Sequence, residues 1–127
     1  MIPARLKYEM DLIAKRVAQM WPEYERNKSP RQEHITDIKF NKKTYFVQIM
    51  MCTCAFKISH EDDHYVIEWF RVKDNVFIKD GFVNCADLSA TVRTFNDYLY
   101  SGFSPARGPW WMLNPKPKFN RRNKRWA

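Results

Sequence analysis

The residues best suited to act on a partner lie near the C-terminus. Arg107, Lys116, Lys118, Arg121, Arg122, Lys124 and Arg125 are interleaved there with Trp110, Trp111, Phe119 and Trp126. Cations neutralise phosphates and release their counterions. Flat rings stack on unpaired bases, at roughly 1–3 kcal/mol per base. Because the cations alternate with rings, the pattern suits a single strand of DNA or RNA better than a duplex. Two readings stay open for Trp110 and Trp111, since a large indole also anchors a segment by packing on its own domain. Arg121-Arg122-Asn123-Lys124-Arg125 would in addition serve as a nuclear signal in a eukaryotic cell.

A second candidate surface is a strand over 65–73. Alternate residues of a strand project to one side, which groups Tyr65, Ile67, Trp69, Arg71 and Lys73. On an open sheet face, Tyr65, Trp69, Arg71 and Lys73 would make a stacking platform with flanking charge. If that face is the buried one, Ile67 and Trp69 belong to the core and the cations only flank them.

The remaining constellations carry less. Cys52 and Cys54 stand two apart, followed by His60 and His64. That spacing does not match the usual zinc pairs. On one strand the two cysteines would share the face of Met50 and Phe56 as ordinary buried thiols, so no metal site is expected. His60-Glu61-Asp62-Asp63-His64 has the composition of a polar turn. The chain has 3 glycines, too few for a phosphate-cradling loop, and no Gly-x-Ser-x-Gly elbow. A non-enzymatic protein without a cofactor is the expectation.

Charge is distributed unevenly. Of 22 Lys and Arg, 15 fall in residues 1–103 against all 14 acids; the other 7 fall in 104–127, which hold no acid. The body is nearly neutral at +1, and the tail carries +7 of the total +8. Such asymmetry points to a polyanionic partner or an acidic protein surface. It also fits a tail that merely solubilises.

These groups need a scaffold. At 127 residues, 45% hydrophobic and 16% aromatic, the chain is too rich in rings for wholesale disorder and long enough for one core. Three cysteines do not make a disulfide framework and fit a reducing cytoplasm. The N-terminus has no apolar core of signal-peptide length, and the longest largely apolar run, 45–56, is too short to span a bilayer as a helix, so no integral membrane association is expected. Leu6, Met10, Ile13, Val17 and Met20 fall at helical spacing, with Pro3 in the first turn and Pro22 expected to kink or restart the helix. Strands are expected over 34–40, 44–58, 65–73 and 76–83, with turns at 41–43, 59–63 and Asp74-Asn75. The 44–58 segment is apolar on both faces and reads as one long central strand. Asn84 and Asp87 mark the start of a second helix, with Leu88, Val92, Phe95 and Leu99 as its stripe and Gly102 as its stop.

The expected architecture is α+β: an N-terminal helix, a four-stranded antiparallel meander, a second helix, and a basic irregular tail. One domain spans 1–103 and the tail 104–127. The strands-then-helix portion over 35–101 resembles, in topology, the building unit of Whirly and Pur-repeat single-stranded nucleic-acid binders. That resemblance implies a nucleic-acid partner. The expected function is a small nucleic-acid-binding protein, cytoplasmic or nuclear, using the tail and a sheet face. The alternative is an inhibitor or adaptor of viral or plasmid type that docks on an acidic protein through the Trp- and Arg-rich tail. A homodimer is compatible with either.

Overall fold

The computed structural model describes residues 2–30 and 32–100. In chain order these form α1 (Ala4–Asn27), β1 (Ile35–Asn41), β2 (Phe46–Met51), β3 (Cys54–His60), β4 (Tyr65–Lys73), β5 (Val76–Cys85) and α2 (Leu88–Tyr100). The class is α+β. The Gly102 stop, the boundary at 103/104 and the tail residues Arg107 to Trp126 lie outside the described residues.

α1 forms for the reason its spacing implies. Leu6, Met10, Ile13 and Val17 make one buried stripe, extended by Tyr24. Pro22 does not restart the helix, which runs through it to Asn27. Proline removes the hydrogen bond to the carbonyl four residues earlier. Here that residue is Ala18, on the solvent side, as is Pro22 itself, where water can take over the freed carbonyl.

The sheet has five strands in the order β1-β2-β3-β4-β5, every neighbour antiparallel. The four-strand expectation is corrected at 44–58, which is a hairpin. Met50 pairs with Ala55, and Cys52-Thr53 turn between β2 and β3. The apparent two-faced strand is a change of parity. Val47, Ile49 and Met51 are buried before the turn, and Cys54, Phe56 and Ile58 after it, all on one side. Neither turn residue has a positive φ. The turn is held from outside by the Glu33 carboxylate, which accepts from the Thr53 N–H at 2.9 Å and from the Thr53 hydroxyl. The Cys54 thiol also donates to it, at 3.7 Å. The β4–β5 hairpin turns instead through Asp74 and Asn75 at φ 53° and 64°, the left-handed pair that a two-residue hairpin demands.

Both helices cover the same face, α1 over β1 to β3 and α2 over β4 and β5. α2 is capped by Asp87, the residue before it, whose carboxylate accepts the Ala90 N–H at 2.8 Å. Asn84 belongs to β5 instead of forming a capping box. The core is one cluster in which Phe56 meets Phe95 edge-on at 5.3 Å and Trp69 meets Tyr98 at 5.4 Å. Such pairs add to what burial alone supplies. Among the described residues no helix is long and apolar enough to cross a membrane.

Candidate nucleic-acid interface

The second face of the sheet is covered by no helix among the described residues. Antiparallel sheets usually make such a face polar; this one is a mosaic of rings and cations. Strand pairing places Lys39, Gln48, Lys57, Glu68 and Phe82 in one row across all five strands. The next row is Asp37, Met50, Ala55, Phe70 and Lys79. Phe46 flanks the first row and Phe77 the second. Phe77 and Phe82 are 43% and 52% exposed, and Phe46 and Phe70 are half-buried.

The charges are tied to the rings. Lys57 Nζ lies 4.5 Å from the centre of Phe46, and Lys79 Nζ 4.9 Å from that of Phe82. Lys79 also pairs with Glu68 at 2.8 Å, and Phe70 meets Phe77 at 6.2 Å. Two grooves result. One of about 330 Å³ lies among Phe46, Gln48, Lys57, Phe70 and Phe77. The other, about 310 Å³, lies among Ser59, Glu61, His64, Glu68, Phe82 and Asn84. Exposed apolar surface of this kind marks a place of contact.

The residues singled out on 65–73 divide. Tyr65 and Trp69 are buried on the helix side, at 3% and 4% exposure. The Tyr65 hydroxyl donates to Glu9 of α1, and burial together with that carboxylate pushes the phenol upward. Their faces are therefore not open to a ligand: the helices cover the side that would have been the platform. Arg71 and Lys73 are exposed at the end of β4 that leads into the turn to β5. Arg71 Nε donates to Asp80 at 3.0 Å. Asp80 is the extra residue of a bulge in β5 opposite Trp69 and Phe70.

The expectation of two buried thiols on one strand face is also corrected. Cys52 is exposed in the turn, whereas Cys54 and Cys85 are buried. Burial, and then the neighbouring Glu33 carboxylate, push the Cys54 thiol up, away from reactivity. Residues 61–64 form the β3–β4 turn, where Asp63 accepts from His64 at 2.6 Å. Among the described residues no group of three His, Cys, Asp or Glu gathers to hold a metal.

Compared with protein families, curated proteins and solved structures, the chain matches none. The four-strands-then-helix order behind the topological resemblance is five strands then a helix.

Phe46, Lys57, Phe70, Phe77, Lys79 and Phe82 are not singled out by sequence pattern. Their signal is present in part, because Val66, Glu68, Phe70 and Val72 are the other face of the well-defined strand β4. The β2 and β3 contributions are hidden by the parity change.

Proposed function

We propose that this chain is a small, non-enzymatic protein that binds single-stranded nucleic acid on the uncovered sheet face. The observation that carries the reading is the interleaving of Phe46, Phe77 and Phe82 with Lys57 and Lys79 on that face. Unpaired bases stack on such rings, and the cations follow the phosphates. The tail at 104–127, with its 7 cations, supplies long-range attraction. A duplex hides its base faces and would use only the charges. The second reading, a protein partner, is favoured by Val76, Phe77 and Ile78, exposed on the edge strand β5. An apolar free edge accepts an added strand.

Fluorescence anisotropy with a single-stranded DNA 12-mer, the same RNA and a duplex, each at two salt concentrations, tests the proposal. Phe77→Ala and Phe82→Ala should each weaken single-strand binding by roughly 1–3 kcal/mol and leave the salt dependence unchanged. Lys57→Gln with Lys79→Gln should lower the slope of log K against log salt by about 0.7 for each phosphate no longer neutralised. Absence of single-strand binding at low salt, or binding that ignores all four substitutions, would sink the proposal in favour of a protein partner.

A further inference from the structure

The second groove differs in chemistry from the rest of the face. Elsewhere in the two rows across the sheet the one carboxylate is Asp37, which lies beside Lys39 at 3.9 Å. Here Glu68 and Glu61 bring carboxylates to a hollow of about 310 Å³ beside Phe82. Lys79 is the one lysine in the lining, and its ammonium is already paired with Glu68 at 2.8 Å, so the two carboxylates make this hollow a poorer place for a phosphate than the rest of the face. A base entering edge-first must present donors, because a carboxylate only accepts.

The groove is built to keep those acceptors available. The Glu68 side chain is 19% exposed, held on β4 with Oε2 against Lys79 Nζ at 2.8 Å. Among the described residues its Oε1 has no hydrogen-bond donor. Lys79 itself lies along the Phe82 ring, so one cation fixes both the carboxylate and the stacking surface. Asn84 and Ser59 line the same hollow, and their side chains form no hydrogen bond among the described residues. They supply a neutral amide and a hydroxyl for the remaining base atoms.

The four bases meet such a site differently. Thymine and uracil carry one N–H between two carbonyls, which a carboxylate repels. Adenine and cytosine carry one amino group beside an unprotonated ring nitrogen, another acceptor. Only guanine puts two donors side by side, the ring N1–H and the exocyclic amino group, spaced for the two oxygens of one carboxylate. Its O6 is an acceptor for a lysine or an amide. We propose that this groove is a guanine-selecting pocket: Phe82 stacks the base, Glu68 accepts from N1–H and the amino group, and Lys79 or Asn84 donates to O6. The proposal rests on the single-strand reading above and adds a sequence preference to it.

The test uses the full chain and three DNA 12-mers: all thymidine, the same with one central guanosine, and the same with inosine there. Inosine keeps N1–H and O6 but lacks the amino group. The guanosine oligomer should bind roughly 5- to 150-fold tighter than all-thymidine, and inosine should lose most of that gain. Glu68→Gln, which replaces one acceptor by a donor, should abolish the difference between guanosine and thymidine. Equal binding of all three oligomers by the unmodified chain would overturn the guanine pocket while leaving single-strand binding standing. A guanosine preference that survives Glu68→Gln, or that inosine retains in full, would overturn the assignment to this groove. Failure of all three to bind at low salt would remove the underlying reading as well. The oligomer comparison is made on the unmodified chain, so it decides the matter even where the variant fails to fold.

Discussion

The covered and uncovered faces of the sheet share the same five strands, and both carry aromatic rings. They differ in what those rings touch. On the covered face rings meet rings, as Phe56 meets Phe95 and Trp69 meets Tyr98. On the uncovered face Phe46 and Phe82 meet lysines, while Phe70 and Phe77 meet each other beside the groove they share with Phe46. A ring in the core is held from every side, whereas a ring under a cation keeps one face for something else. Residue type and strand position do not separate these cases; the neighbours do.

The largest expected effect tests that contrast directly. Phe95→Ala, at a fully buried position, should lower stability by about 3–5 kcal/mol through the cavity it leaves. Phe82→Ala should change it by no more than about 0.5 kcal/mol. Denaturant unfolding of both variants measures the difference. Similar losses in the two would mean that the second face is also a core, covered in solution by another copy of the chain.

A smaller effect concerns the place where β5 lets a core ring pass. A Cβ on Gly81 would lie 2.6 Å from Cζ2 of Trp69, closer than atoms tolerate. Gly81→Ala should therefore cost roughly 1–3 kcal/mol by overpacking, read as a lower denaturant midpoint. A neutral result would show that the Trp69 indole has room to shift and that the covered face is less tightly specified than its ring contacts imply.

The smallest effect lies at the tie between α1 and the sheet. Burial acts to raise the Glu25 carboxyl. The hydrogen bonds it accepts from His34 and from the Ile35 N–H at 2.9 Å outweigh burial and hold it below its ordinary 4.5. A carboxyl lowered on folding stabilises the fold above its unfolded value and loses that contribution as pH falls through the lowered one. Stability should thus decline below about pH 4.5, and Glu25→Gln should flatten that part of the profile. Melting curves between about pH 3 and pH 6, taken on both proteins in roughly 0.1 M salt, check it. Parallel curves would mean the tie contributes nothing.

Much of the fold is legible locally. The α1 stripe, the bounds of β4 and the Asp74-Asn75 turn follow from spacing and turn chemistry within a few residues. The β2–β3 hairpin is not legible, because its turn carries no Gly or Asn and depends on Glu33, twenty residues away. The candidate surface is half legible: the alternation of β4 defines two sets of side chains, but nothing within β4 says which set the helices take.

The sequence by itself determined the periodic elements, the α+β class and the gathering of positive charge in 104–127. These depend on neighbours along the chain. Only the tertiary structure decided that 44–58 folds back on itself, that Tyr65 and Trp69 go under α1 and α2, and that Phe46, Phe70, Phe77 and Phe82 share a face with Lys57 and Lys79. The physical reason is that strand register and helix docking are set by contacts between distant segments. Both choices bury the larger apolar surface, and that sum is formed only when the whole sheet pairs.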